Sequence, residues 1–369
     1  MTTRKKRIGV DVSGLTLSSY LGGIQRVVIE INKGLAALLD PQEFEIEPFT
    51  TLLDISKPEN PPSFLAMDPI FSKPLQPIDS FDILFLGGIN ANLPITELMR
   101  LKREQGIKII SLIHDILPIT HPNWFPPPMT VSGREIGFSP RAFFQIYVQS
   151  TFSLADHLVL TSQHVKDEIL SYKWNRLPEI TVLHLGAFEV PTVVTRIPHS
   201  GIKTIYVSTV TIRKGHAELL SAFDLLWAQG LEISLTIVGD RGWSISDFIE
   251  RMTTHREFGS RLFWREGIND DEVAHLYRQS DIAFIPAEGE GFGLVLEEGL
   301  ANRMKVIARD IPVFREREYP NLYFFSGGAK ELSEKILEVA PIPLEPIPEG
   351  SIRTMNDFTS GLTQILKMI

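Results

Sequence analysis

Short apolar runs rich in β-branched residues alternate along the chain with longer stretches in which apolar positions recur every three or four residues. The first kind reads as buried strand and the second as amphipathic helix. Ile8 to Val12 is a strand of this sort. A glycine-containing loop follows, and Val27 to Leu39 then carries apolar residues at Val27, Val28, Ile31, Leu35 and Leu38, a helical spacing. Further strands are expected at Ile83–Leu86, Ile109–Ile113, His157–Thr161 and Thr181–His184, with helices between them. The polar stretch from Pro191 to Ser200 interrupts the pattern. It restarts at Lys203–Val207 and continues as helix 216–229, strand 234–238, helix 245–252, strand 262–264, helix 270–279 and strand 282–285. Strands alternating with helices predict parallel sheets with crossover helices, so the expected class is α/β with two Rossmann-like doubly wound domains. The first domain is placed at 1–190 and the second at 201–340. Pro341 to Pro348 then forms a proline-rich connector, and residues 351–369 hold a last amphipathic helix whose Phe358, Leu362, Ile365 and Leu366 need a surface to cover. Pro122 to Pro128, with four prolines, runs into Met129–Pro140 and reads as an exposed loop of the first domain.

Composition narrows the function. The 369 residues, 43% hydrophobic and 22% charged, describe an ordinary globular chain long enough for two cores. With no cysteine, disulfides, thiolate catalysis, iron–sulfur clusters and cysteine zinc sites are excluded, and a reducing compartment fits. A net charge of −9 argues against a nucleic-acid partner, which needs a basic face to neutralise phosphates. Arg4, Lys5, Lys6 and Arg7 read as a solvated basic tail, with contact to an anionic membrane surface as the other option. No apolar run approaches the roughly 18 residues of a membrane helix, so the expected location is the cytoplasm, with the inner face of the membrane as an option.

Four segments carry chemistry. In Ile285-Pro-Ala-Glu-Gly-Glu-Gly-Phe-Gly-Leu-Val-Leu-Glu-Glu298, which ends a strand and opens a helix, glycines 289, 291 and 293 allow close backbone approach to a ligand. The amides of the following helix form an anion site. Glu290 and Glu298 stand eight residues apart, and a carboxylate that accepts two hydroxyl hydrogen bonds suits a sugar or ribose diol. In Ser208-Thr-Val-Thr-Ile-Arg-Lys-Gly-His216, Arg213 and Lys214 at a helix entrance suit a diphosphate. Leu21-Gly-Gly-Ile-Gln-Arg26, with Gly22 and Gly23, lacks the spacing and acidic partner of a dinucleotide fingerprint, which disfavours a nicotinamide enzyme. His114-Asp115 closes the strand Ile109–Ile113, at the end where such sheets place ligands. The remaining histidines show no metal spacing, and neither Asp-x-Asp nor Gly-x-Ser-x-Gly occurs.

The order Gly-Gly-Ile-x-Arg, His-Asp, Arg-Lys-Gly-His, Val-Gly-Asp, Glu-Gly-Phe-Gly-Leu with a second Glu, and Ile-Ala-Arg-Asp-Ile-Pro-Val-Phe-Arg-Glu316 resembles retaining glycosyltransferase family 4 over nearly the whole chain. Within it the likeness is greatest to bacterial polysaccharide mannosyl- and rhamnosyltransferases. The resemblance implies a GT-B fold, with two Rossmann-like domains facing a cleft and the C-terminal helix crossing back to the N-terminal domain. It implies a nucleotide-sugar donor, a GDP- or other NDP-hexose with GDP favoured, held chiefly by the second domain, and a glycan or lipid-linked saccharide acceptor held by the first. No metal and no other cofactor is implied. Arg213 and Lys214 would hold the diphosphate, Glu298 the ribose and Glu290 the donor sugar. Gly291, Phe292, Gly293, Leu294 and Val295 would line the donor, with Trp264 near the base. His114 would approach the transferred sugar, and Gly22 and Gly23 would lie near the phosphates. Many relatives have Pro where Val295 stands, and a small Cys-Gly pair followed later by Pro where Asn302, Arg303 and Lys305 stand, so the loop after the glutamates is expected to be shaped differently. Two other readings remain open. One is a nucleotide-sugar epimerase or phosphorylase on the same fold, the other a degenerate, non-catalytic nucleotide-sugar binder.

Overall fold

Strands made almost wholly of Ile, Leu, Val and Phe bury both faces, and that composition belongs to parallel sheets covered by helices on either side. The structure, a computed structural model, describes residues 4–16, 22–51, 75–89, 93–126, 130–131, 134–135, 140–191, 194–243 and 245–369. The chain divides into two compact units. Unit 1 comprises Met1–Pro122, Pro127–Leu185 and Met355–Ile369, and unit 2 comprises Asn123–Pro126 and Gly186–Thr354.

In unit 1 the strands are β1 (Lys6–Asp11), β2 (Phe44–Phe49), β3 (Ile83–Leu86), β4 (Lys108–Ile113), a short antiparallel pair β5 (Thr130–Val131) and β6 (Arg134–Glu135), β7 (His157–Leu160) and β8 (Glu179–Val182). Its helices are α1 (Ser13–Thr16), α2 (Gly23–Leu38), α3 (Ile95–Gln105), α4 (Leu117–Thr120), α5 (Pro140–Leu154) and α6 (Gln163–Ser171). The main sheet is parallel in the order β2-β1-β3-β4-β7-β8. The edge strand β2 carries Glu45 and Glu47 beside β1, where Arg7 bonds Glu47 at 2.5 Å and the Ser80 carbonyl at 2.8 Å. Arg4 pairs with Asp82. Two of the four basic residues at the start of the chain are thus tied to acidic partners in this sheet.

Unit 2 repeats the plan with β9 (Ile202–Val207), β10 (Ile233–Val238), β11 (Leu262–Arg265), β12 (Ile282–Ile285), β13 (Lys305–Arg309) and β14 (Leu322–Phe325). The helices are α7 (His216–Ala228), α8 (Ser246–Thr253), α9 (Asp270–Gln279), α10 (Leu294–Ala301), α11 (Pro312–Arg315) and α12 (Ala329–Val339). The order β11-β10-β9-β12-β13-β14, all parallel, is the doubly wound order in which the winding reverses between β9 and β12. One face of this sheet buries Phe223, Leu226 and Phe248, the other Leu296, Leu300 and Phe314. The final helix α13 (Met355–Met368) belongs to unit 1, where its buried Phe358, Leu362, Ile365 and Leu366 cover apolar surface and Thr359 meets the bare Cα of Gly34 in α2.

Residues 302–305 join α10 to β13. Arg303, exposed at the end of α10, adopts φ +54, a left-handed backbone that glycine takes without strain. Lys305 is buried, and its ammonium donates to the carbonyls of Val339 (3.0 Å) and Ala340 (2.7 Å), capping the C-terminus of α12 with a cation. Burial pulls the Lys305 pKa down, an effect opposed by the charge of Asp281. Replacing Arg303 by Gly removes the left-handed strain at an exposed site, partly offset by the freer unfolded chain. The expected result is stabilisation of about 1 kcal/mol and a melting temperature roughly 2–4 °C higher. An unchanged or lower melting temperature for Arg303→Gly would show that this backbone position is relaxed with arginine.

Candidate active site

Where a doubly wound sheet reverses, the loops leaving the two central strands part to opposite faces and open a crevice at the carboxyl ends of those strands. In unit 2 these are the loops after β9 and β12. The first makes a tight 3-10 turn at Ile212–Lys214, fixed by the Tyr206 hydroxyl donating to the Lys214 carbonyl at 2.8 Å. Gly215 follows at φ +72, where a Cβ would stand 2.4 Å from the Pro286 carbonyl oxygen, so the two loops meet at a distance that only glycine admits. The Glu288 amide donates to the Arg213 carbonyl at 2.9 Å, and the Arg213 guanidinium donates to the Gly289 carbonyl at 2.7 Å. Lys214 Nζ forms an ion pair with Glu290 Oε1, and Arg213 Nη1 lies 3.4 Å from Glu290 Oε2. The Arg213–Lys214 pair and Glu290, read from two separate segments of the sequence, are therefore one cluster.

The electrostatics of the cluster follow from its burial. The Glu290 side chain is 13% exposed. Burial alone would push its carboxyl up, but the neighbouring Lys214 and Arg213 outweigh that and hold it below the ordinary carboxylate range. With Glu290 ionised, two cations and one anion leave a net positive charge at the switch point, suited to a further anion. His216, just beyond Gly215, contributes no charge. Its ring is buried against Tyr206 (4.6 Å) and Phe248 (5.7 Å), and burial together with Lys214 pulls its pKa down to about 3.

The glycine-rich loop then enters α10. Gly293 caps this helix at φ +89, with a Cβ position only 2.5 Å from the Phe314 ring, so a larger residue has no place there. Gly291 and Phe292 are buried, and Leu294 and Val295 lie half-buried in the first turn. Glu298, buried one turn on, receives the Tyr277 hydroxyl on Oε2 at 2.9 Å. Trp264, the penultimate residue of β11, has its indole N–H on the Gly239 carbonyl (2.9 Å) and the Arg241 guanidinium 5.0 Å above the ring, while Arg241 in turn pairs with Glu266. Beside the loop, Arg309 joins the Pro286 and Gly327 carbonyls to Glu218.

Gly22, Gly23 and His114 lie in unit 1. Gly22 is the N-cap of α2 and Gly23 its first residue, where a Cβ would meet nothing within 4 Å. His114 Nε2 lies 2.9 Å from the Gly87 carbonyl. A carbonyl only accepts, so Nε2 carries a proton, and burial pulls the ring's pKa down, which favours the neutral form with Nδ1 as an acceptor. Asp115 accepts from the Leu117 amide at 3.0 Å and opens α4. Glu168 on α6 was not singled out by the sequence, yet burial and the charge of Asp115 push it up to about 7. Tyr277 and Arg317 were likewise invisible, since nothing in their local sequence marks them. Glu297 stood beside Glu298 as a carboxylate doublet, the one signal available. Among the described residues, no group of three or more His, Asp or Glu is placed to hold a metal ion.

Residues 192–341 match the family model Glycosyl transferases group 1. That span, about two fifths of the chain, carries Arg213, Lys214, Glu290 and Glu298, so unit 2 is similar to a group 1 glycosyl transferase domain. The chain is similar to the serotype-specific mannosyltransferase WbdA of Escherichia coli, 32% identical over 257 residues, covering 64% of this chain and 30% of that protein. It thus spans about three tenths of the length of that relative. Among solved structures it resembles HepE of Anabaena in complex with UDP and glucose (TM-score 0.67, 15% identity, 99% of this chain and 100% of that one). It also resembles sucrose-phosphate synthase of Thermosynechococcus elongatus (TM-score 0.66, 15% identity, 99% of each chain). At such identity the two structures speak for the fold. Among the described residues, no helix is long and apolar enough to cross a membrane.

The depressed pKa of Glu290 ties the cluster to pH. A carboxylate whose folded pKa lies below its unfolded value contributes stability that is full above the unfolded value and is lost as pH falls through the folded one. Glu290→Gln is therefore expected to lower the melting temperature at pH 7. The gap to the wild type narrows as the pH is taken below about 4.5, the ordinary range of a glutamate. Thermal melts across pH 3–8 test this, and a gap that stays constant with pH would mean that Glu290 is not an ionised member of the cluster.

Proposed function

We propose that the chain is a retaining, metal-independent glycosyltransferase. It moves a hexose of the mannose or rhamnose type from a nucleotide sugar, with GDP as the carrier, to a glycan or lipid-linked saccharide in polysaccharide synthesis. The observation that carries this reading is the cluster of Arg213, Lys214 and Glu290 at the switch point of the second sheet, net positive and built on loops from the two central strands. The mannose assignment is supported by the likeness to the E. coli mannosyltransferase. Metal independence is supported by the absence of Asp-x-Asp and by two organic cations standing where a diphosphate needs neutralising. A cytoplasmic site of action is part of the same proposal.

The chemistry follows from charge. A bound diphosphate would share Arg213 and Lys214 with Glu290. As the bond from the anomeric carbon to the phosphate oxygen breaks, negative charge grows on the leaving group and the attraction of both cations strengthens. They therefore bind the transition state more tightly than the ground state. The acceptor hydroxyl oxygen bonds the anomeric carbon on the face the phosphate leaves, and its proton passes to the departing phosphate oxygen. Glu298, oriented by Tyr277, suits the ribose diol. His114, with Nδ1 as acceptor, suits a sugar hydroxyl.

Thermal shift with GDP, UDP, ADP and dTDP, each in EDTA, is the first test. A nucleotide at a hundredfold excess over its Kd is expected to stabilise the chain by about 2.7 kcal/mol. In transfer assays from GDP-mannose, Arg213→Ala, Lys214→Ala and Glu290→Ala are each expected to lower kcat by roughly 10²–10³ in folded protein. Near-wild-type turnover in any two of them, or an epimerised nucleotide sugar as product, would sink the assignment.

A further inference from the structure

A buried charge pair lies directly beneath the donor loop. Arg317 and Glu297 have side chains 1% and 0% exposed, and Arg317 Nε donates to Glu297 Oε1 at 2.9 Å. The guanidinium uses its other two nitrogens on backbone: Nη1 donates to the Val313 carbonyl at 2.8 Å and Nη2 to the Phe292 carbonyl at 2.8 Å. Its plane also lies against the Phe292 ring, with Cζ 3.9 Å from the ring centre. One side chain thus joins α10, α11 and the loop between Glu290 and Gly293.

As a stabilising device such a pair is poor. Removing two charges from water offsets most or all of their attraction, and an apolar pair of similar volume commonly serves as well. What an apolar pair cannot do is hold a carbonyl. The peptide between Phe292 and Gly293 is planar and trans, so a carbonyl fixed toward Arg317 fixes the Gly293 amide on the opposite side. That amide opens α10, the helix whose N-terminus follows the glycine-rich loop.

We propose that Arg317 is a positioning residue that sets the orientation of the Phe292–Gly293 peptide, and through it the alignment of Glu290 and the α10 amides toward the nucleotide-sugar donor. This rests on the donor-binding reading given above. Glu297 serves it in turn by holding the guanidinium in place, which accounts for a carboxylate buried in the middle of an otherwise apolar helix face.

Two variants separate positioning from simple charge balance. Glu297→Leu combined with Arg317→Met removes both charges and leaves the Phe292 carbonyl without its donor. Arg317→Lys keeps a charge opposite Glu297 but has no fork with which to reach two carbonyls. Two readouts are taken on the full chain: hydrogen–deuterium exchange of peptides spanning residues 288–298, and KM for GDP-mannose alongside Kd for GDP. Both variants are expected to melt near the wild type while the loop amides exchange about tenfold faster, the scale of one lost charge-assisted hydrogen bond. KM for the donor is expected to rise by a similar factor, with a smaller change in kcat. Wild-type exchange and wild-type donor KM in whichever variant folds would overturn the proposal and leave Arg317 as a counter-charge for Glu297. A wild-type chain that binds no GDP would count against the donor reading alone, because the exchange experiment still decides whether Arg317 holds the loop.

Discussion

Two cations adjacent in sequence, Arg213 and Lys214, are held nearly buried at the end of β9, and that arrangement is tolerable only because Glu290 reaches them from the end of β12. Without the carboxylate, like charges would be desolvated side by side, each at a penalty of several kcal/mol. With it, the loops after the two central strands are locked together, and the backbone closes the same gap through Gly215 against Pro286 and Glu288 against Arg213. A diphosphate site of the kind proposed above would in this sense be formed before any ligand arrives: Glu290 keeps the cations aimed, and the diphosphate would have only to share them.

The same edge of the sheet uses cations elsewhere for a different purpose. Arg309 ties the Pro286 and Gly327 carbonyls to Glu218 in the first turn of α7, and Lys305 caps the last carbonyls of α12. Lys305 meets only fixed backbone oxygens, whose partial negative charge is part of the fold, and Arg309 meets two such oxygens together with the Glu218 carboxylate. Arg213 also donates to such an oxygen at Gly289, but Arg213 and Lys214 share a mobile side-chain carboxylate as well. A side chain can move aside by rotating a few bonds, whereas a strand-end carbonyl cannot.

Most of the architecture was legible because parallel strands write themselves as short apolar runs. Ile83–Leu86, Asp270–Gln279 and Ile282–Ile285 fall where the periodicity puts them, and most other elements shift by a residue or two at their ends. In the two six-stranded sheets the pattern did not mark β2, β13 and β14, while the other two edge strands, β8 and β11, were expected. β2 alternates Glu with apolar residues and contains Pro48, as suits an edge strand. β14 directly follows a proline-containing turn, and β13 reads first as a motif rather than a strand. In the site, residue type and spacing identified the members of the cluster, since glycines, cations and carboxylates at strand ends have few structural reasons to coincide. Their supports were not legible. Tyr277 reaches Glu298 from α9, and Arg317 reaches Phe292 from beyond α11, and only the folded chain brings them near.

The departures from the family pattern take their meaning from those supports. Val295 packs at the margin of the apolar core under β12, Arg303 takes a left-handed backbone, and Lys305 turns inward to cap a helix. None of these changes appears among the contacts of Glu290 with Arg213 and Lys214, or in the bond from Tyr277 to Glu298. Glu297 and Arg317 form a polar pair set into an apolar region directly behind the loop. A carboxylate in a buried helix turn is tolerated only with a partner that satisfies it, and the partner here also carries the loop carbonyl. In the reading proposed above, the residues that differ from the resembled pattern lie outside the contacts of the Arg213–Lys214–Glu290 cluster and act on the backbone around the loop. Support of this kind can be rebuilt in more than one way, because it has only to fix a backbone; the groups that meet a diphosphate and a sugar have to match them in charge and geometry.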